Sequence, residues 1–179
     1  MSESIGRIPA EIQPELVWLV GAIITWWARV EGLMVSDLRW LRSLDVNTTI
    51  AAKESFPPGT KRAIKHWTRL MRNFHADDTE KLAQIVAIQD EALDVWSHRN
   101  AIAHSFWPYG QVQKDEIQLQ SIKRKLDDPM NAEIIEYRAT VQSLNEINNR
   151  AMRLYHRTMA LSFNSSMKMN QNHAKAQKG

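Results

Sequence analysis

Cysteine is absent from this chain of 179 residues. That absence excludes a disulfide framework, a thiolate metal site and a cysteine nucleophile, and it suits a reducing cytoplasm. Glycine and proline are scarce, six of each, so little interrupts the periodicity of the chain. There is no glycine-rich phosphate loop and no Gly-x-Ser-x-Gly elbow. The six histidines are scattered, none pairs with another at i, i+4, and no carboxylate cluster accompanies them. Neither a metal nor another cofactor is therefore expected.

A long apolar run is missing too. The longest, Leu16 to Ala28, has 13 residues, against roughly 20 needed to span a bilayer. No basic segment precedes it and no Ala-x-Ala-like cleavage site follows. The expectation is a core helix in a cytoplasmic protein without membrane attachment.

Acidic residues are absent from two stretches. Residues 55–76 hold five Lys/Arg and no Asp or Glu, and after Glu146 there are six Lys/Arg and no acid. The net charge of +3 decides little, but this segregation is compatible with a nucleic-acid partner.

What is present is helical periodicity. It predicts an all-α fold, an antiparallel bundle of about four principal helices in a single domain over 1–163, with a polar, disordered tail over 164–179. The first helix runs from Pro14 into the low 40s, with a potential break at Gly32. A connector, 45–60, ends in Pro57-Pro58-Gly59, and Thr60 caps a second helix, Lys61 to Phe74. Asp77 and Glu80 form a capping-box-like start for a third helix ending near His104. Pro108 and Gly110 break the pattern, and alternation near 109–121 predicts a short β-hairpin. Asp128-Pro129 then opens a last helix to about Ser162, with Ile134, Tyr137, Val141, Leu144, Ala151 and Tyr155 on its apolar stripe.

On a wheel of about 100° per residue, Ile85, Ile88, Ala92, Val95 and Ile102 define the apolar stripe of the third helix. Gln84, Glu91, Asp94 and His98 face water. Arg99 falls inside the stripe, with Asn100 and His104 on its flank. The arc, widened by Leu82, Val86, Leu93 and Trp96, exceeds one packing seam, so the helix is expected either to be surrounded within its own bundle or to be shared with a second copy in a homodimer. In the first helix Val20, Ile24, Trp27, Met34 and Leu38 form a stripe that contains Glu31. An inward carboxylate and an inward guanidinium are each costly to bury alone, so Glu31 and Arg99 are expected to pair.

The segment Arg99-Asn100-Ala101-Ile102-Ala103-His104 resembles the signature of the HEPN superfamily, Arg, four to six residues, then His, near the end of a helix in a small bundle. The resemblance implies a metal-independent endoribonuclease, usually a homodimer, whose two Arg/His sets meet in a cleft between protomers. It further implies a toxin, stress-response or phage-defence role, with an antitoxin or other regulatory protein as partner. Carried over by motif, Arg99 and His104 are catalytic, Asn100 is a supporting catalytic residue and Glu31 supports the site. Where many toxin members carry Tyr two positions after the His, this chain has Phe106, followed by Trp107 and Tyr109.

The chemistry stands without the family. Cleaving RNA through its own 2′-hydroxyl needs proton transfer and stabilisation of charge on phosphorus. A histidine, ordinarily titrating at about 6.5, supplies the first, and an arginine the second. At five residues' separation Arg99 and His104 lie roughly 140° apart on an unbroken helix, so convergence on one phosphate calls for a second protomer or an unwound turn. Lys61, Arg62, Lys65, Arg69 and Arg72 share one arc of the second helix and are candidates to track RNA phosphates. Trp107 and Tyr109 are candidates to stack on bases, whereas Trp18, Trp27, Trp67 and Trp96 fit apolar stripes. Each feature also has a plain alternative: an architectural ion pair, a helix-terminal histidine, a solvated basic face. Two rival functions follow, a non-catalytic HEPN-like module binding RNA, a nucleotide or a protein, and a purely structural helical dimer.

Overall fold

A computed structural model of the chain describes residues 14–44, 59–104, 116–124 and 132–176. The fold is an all-α bundle with a small β element. Its helices are α1 (Pro14–Leu44), α2 (Thr60–Phe74), α3 (Thr79–His104) and α4 (Val141–Ala176), and strands β1 (Glu116–Arg124) and β2 (Ala132–Thr140) lie between α3 and α4. The described chain divides into two compact units. One holds α1 to Thr25, residues 97–104 of α3, the strands and α4 to Arg150. The other holds the rest of α1, α2, α3 to Trp96 and α4 from Ala151.

The larger core belongs to the second unit. Trp27, Val30, Met34, Leu38 and Leu41 from α1 cluster there with Ile64, Trp67 and Met71 from α2, with Ile85, Ile88, Ala92 and Val95 from α3, and with Ala151, Leu154 and Leu161 from α4. Each set recurs at three- and four-residue steps, the spacing that puts side chains on one face of a helix. The α3 stripe agrees with the sequence reading. Residues α2 presents outward are the five cations Lys61, Arg62, Lys65, Arg69 and Arg72, all exposed.

The α1 stripe is rotated from the expected one. Leu16, Leu19, Ile23, Trp27, Val30, Met34, Leu38 and Leu41 are buried, while Val20, Ile24 and Glu31 lie on the flank. The inward carboxylate is Asp37. Its Oδ2 accepts from the indole Nε1 of Trp67 at 2.9 Å and lies 2.7 Å from the Ser162 hydroxyl. Burial pushes this carboxyl above the ordinary aspartate range, and the hydrogen bonds from Ser162 and Trp67 partly offset the shift. Trp18, expected in a stripe, is 64% exposed. By length and composition Pro14–Leu41 is long and apolar enough to cross a membrane, and 28% of its most apolar window is buried. The helix is unbroken at Gly32.

Helix starts also depart from expectation. Gly59, at φ 90°, precedes α2 without a side-chain cap, and the Thr60 hydroxyl donates to Glu31 Oε1 at 2.7 Å instead. A positive φ is open to glycine at little cost, which suits Gly59 to the entry of α2. At α3 the cap is Asp78 rather than Asp77, its Oδ1 accepting from the Lys81 backbone N–H at 3.0 Å.

The other unit is built on the antiparallel pairing of β1 with β2, which sets Leu119 opposite Tyr137 and Ile117 opposite Ala139. The hairpin is thus longer and later than expected, and the last helix begins at Val141, not at Asp128-Pro129. Ile134 and Tyr137 are strand residues. The start of α4 is enforced locally: Thr140 and Ser143 exchange backbone-to-hydroxyl hydrogen bonds of 3.1 and 2.9 Å, a reciprocal cap. Ala139 is buried with Leu16, Leu19, Ile23, Ile102, Leu144 and Ile147 in this unit's own core. At its far end α4 continues through the residues expected to form a disordered tail, as far as Ala176, and Ser165 is fully buried.

Candidate active site at the end of helix α3

Ile102 anchors the last turns of α3 in the core of the strand-containing unit. Arg99 stands one turn earlier on the same side of the helix, as three-residue spacing requires. Its guanidinium is only partly buried, and Nη1 donates to Asn100 Oδ1 at 3.2 Å. Arg99 Nε, by contrast, is buried with no hydrogen-bond partner among the described residues. His104 is the last residue of α3 and is exposed, as is Ala103. The helix end thus presents a partly exposed guanidinium, its Nε buried, and an imidazole open to solvent.

Two neighbouring groups were not legible as site residues. His98, expected to face water, is half-buried, and its Nδ1 lies 3.1 Å from the Tyr137 hydroxyl, the rings edge to face with centroids 6.1 Å apart. This bond ties the helix that carries Arg99 to β2. Asn148 is buried, and its Oδ1 has no partner among the described residues. It lies one turn beyond Leu144, which shares a cluster with Ile102. An unsatisfied buried donor or acceptor costs about 1–3 kcal/mol, so one guanidinium N–H and one amide oxygen left open in the same unit call for an explanation. The signal for Asn148 was a polar residue inside the Leu144–Ala151 stripe. Tyr137 was hidden by assigning β2 to a helix.

The remaining expected site residues are placed as follows. Glu31 is partly buried and takes its hydrogen bond from Thr60. It falls in the other unit from Arg99, and each of the two finds its partner within its own unit. The five basic residues of α2 are exposed on one arc. Trp107 and Tyr109 lie outside the described residues, as do Phe106 and 109–115 of the expected hairpin. No group of three or more His, Asp or Glu placed to hold a metal ion occurs among the described residues.

Chemically, the arrangement offers a charge-bearing fork for an anion and a proton-exchanging ring, without a nucleophile of its own. Compared with family models, with curated proteins and with solved structures, the chain matches none.

Proposed function

We propose that the protein is a metal-independent endoribonuclease of HEPN type, with Arg99 and His104 as its catalytic residues and Asn100 positioning Arg99. The observation that carries this reading is the state of Arg99. Its Nη1 is held by Asn100 while Nε, buried, has no acceptor in the described chain. A planar guanidinium fixed through Nη1 and only partly buried can turn its remaining terminal N–H groups to the non-bridging oxygens of a phosphodiester, while the buried Nε lies out of a substrate's reach.

In the reaction a base removes the proton of a ribose 2′-hydroxyl, and the oxygen attacks the adjacent phosphorus. The bond to the 5′-oxygen breaks, and that oxygen receives a proton. The products are a 2′,3′-cyclic phosphate and a 5′-hydroxyl. His104 is the proton-exchanging group, and Arg99 stabilises the negative charge that builds on the phosphate. Because the two lie roughly 140° apart on one helix, the cleft is proposed to form in a homodimer. Lys61, Arg62, Lys65, Arg69 and Arg72 hold RNA by its phosphates, and Trp107 and Tyr109 stack on bases. A cytoplasmic toxin, stress-response or phage-defence role under an antitoxin or other regulator belongs to the same proposal.

The test is RNA cleavage in EDTA by the wild type beside His104→Ala. A general acid or base typically contributes 10²–10⁴-fold in rate, and an exposed helix-end side chain contributes little to stability. The variant should therefore stay folded and lose activity, and cleavage that needs a divalent metal would overturn the mechanism. Light scattering at micromolar concentration should report a dimer. The exposed basic arc of α2 also favours a second reading, a non-catalytic RNA-binding module, which predicts binding without cleavage by either protein.

A further inference from the structure

Within the unit that carries α2, helix α4 has two apolar faces. One packs inward, where Leu154, Thr158, Leu161 and Ser165 are buried. The other looks out. Met159 is 42%, Phe163 65% and Met167 47% exposed, in single file at four-residue steps. Six large apolar side chains are exposed among the described residues, and three of them stand on this one line of about 12 Å. Apolar side chains exposed singly are ordinary, whereas a contiguous ridge marks a place of contact. The helix cannot roll to hide it. The Ser162 hydroxyl donates to Asp37 Oδ2 at 2.7 Å, and the Ser165 hydroxyl lies 2.8 Å from His75 Nε2, so the roll of α4 is fixed from the buried side.

Cations border the ridge. On a wheel of about 100° per residue Arg153 and Arg157 fall on one flank and Tyr155 on the other. Both arginines are exposed, and neither has a hydrogen-bond or ion-pair partner among the described residues. On the Tyr155 side the Trp26 ring of α1 stands 5.5 Å from the Tyr155 ring, and the exposed Arg29 guanidinium lies 4.7 Å over that indole. No acidic residue occurs in α4 after Glu146, nor in α1 from Leu16 to Val30.

This pattern selects the occupant. A second copy laid on the same face would set Arg153 and Arg157 against their own counterparts, with no acid in that part of α4 to answer them. A protein partner would need a groove cut to the ridge as well as acidic rims. An anionic lipid surface meets both demands without a preformed shape: the ridge enters the boundary between headgroups and acyl chains, and the guanidiniums beside it meet lipid phosphates. Arginine stems can follow the apolar surface while their heads stay at that level, and the half-buried Trp26 is of the ring type favoured there.

We infer that the Met159–Phe163–Met167 ridge binds an anionic lipid surface, with Arg153, Arg157 and Arg29 at the headgroups. The attachment is peripheral and made by α4. It departs from the sequence-based expectation of no membrane attachment, which rested on the length of the apolar run in α1, and it does not depend on RNA cleavage.

The test needs no RNA. Co-sedimentation of the full chain is measured with vesicles of equal parts phosphatidylglycerol and phosphatidylcholine, against vesicles of phosphatidylcholine alone. The anionic vesicles should bind about ten-fold or more tightly, and added salt should weaken that binding. Phe163→Gln combined with Met167→Gln should lower it about ten-fold. Both side chains are exposed, so the melting temperature should hold. Arg153→Gln with Arg157→Gln should narrow the preference for anionic vesicles. Because the chain has no cysteine, a polarity-sensitive fluorophore can be attached at Met159→Cys and, for comparison, at Lys65→Cys on α2. On anionic vesicles the first should shift to the blue and the second should not. Absence of binding to anionic vesicles overturns the inference, as does binding indifferent to Phe163 and Met167. A blue shift at Lys65→Cys instead of Met159→Cys assigns the attachment to the α2 cations and overturns it too. So does a fall in mass by light scattering in the Phe163→Gln, Met167→Gln protein, which assigns the ridge to contact between copies.

Discussion

Trp67 donates its indole N–H to Asp37 across 2.9 Å, joining α2 to α1 in the α2-containing unit through a buried carboxylate. Burial raises the pKa of Asp37 above its ordinary 3.8. The folded state therefore holds the proton more tightly than the unfolded chain, and folding stability falls as pH rises from the unfolded value through the raised one. Asp37→Asn keeps an oxygen acceptor for Trp67 and removes the charge. Urea unfolding should show Asp37→Asn more stable than wild type at pH 7–8, with the advantage shrinking on acidification and vanishing below about pH 3.8. An advantage that grows as the pH falls would refute the assignment. Asp37→Ala strands the indole N–H and should cost about 1–3 kcal/mol at acid pH, a cost that shrinks as pH rises through the raised pKa.

The sequence pattern places Glu31 in the apolar stripe of α1 and gives no sign of Asp37, for a physical reason. Helix α1 is apolar over most of its circumference, so stripes one residue apart fit its pattern almost equally, and only packing selects Leu16-Leu19-Ile23-Trp27 over Val20-Ile24-Trp27. Helix α2 was read correctly because its two faces differ sharply, cations against Ile64, Trp67 and Met71. Strand β2 was misread because Ile134, Tyr137, Val141 and Leu144 stand at three- and four-residue steps, while Ile135, Tyr137 and Ala139 also alternate. Both periods fit; pairing with β1, a non-local event, settled the contest. At the candidate site, Arg99, Asn100 and His104 were legible from one short segment, whereas His98–Tyr137 depended on the missed strand.

The end of α4 gives a second prediction. Ser165 is fully buried, with its hydroxyl 2.8 Å from His75 Nε2 and 2.8 Å from the Leu161 carbonyl. Composition alone made this region look like a solvated tail. Ser165→Ala should lower stability by about 1–3 kcal/mol, the cost of leaving a buried ring nitrogen without its hydroxyl partner. Thermal unfolding measures it, and an unchanged melting temperature would restore the tail interpretation.

The His98–Tyr137 bond ties α3 to β2 next to Arg99. Tyr137→Phe preserves the ring and removes only the hydroxyl. A single hydrogen bond is worth about 0.5–1.5 kcal/mol net, so unfolding should reveal a loss of that size. If Arg99 is positioned through this tie, kcat for RNA cleavage should fall while KM stays near the wild-type value. A rise in KM alone would place the tie in substrate binding instead.

Arg99 itself separates catalyst from architecture. In an architectural ion pair, removing the guanidinium strands the carboxylate and costs about 3–5 kcal/mol. Yet the carboxylate expected to pair with it, Glu31, already accepts from Thr60, and Arg99 Nε has no acceptor among the described residues. Methionine fills a similar volume without that unsatisfied N–H. Arg99→Met should therefore leave stability unchanged or raise it by about 1 kcal/mol, since the buried donor penalty disappears. Glu31→Gln, which retains an oxygen for Thr60, should be nearly neutral. In the same Arg99→Met protein RNA cleavage should fall about 10²–10³-fold, as when one donor to a developing oxyanion is lost. Stability held or gained with activity lost is the mark of a residue kept for chemistry at a cost to the fold. A marked drop in stability for both Arg99→Met and Glu31→Gln would instead assign the pair to structure and leave His104 without its partner in catalysis.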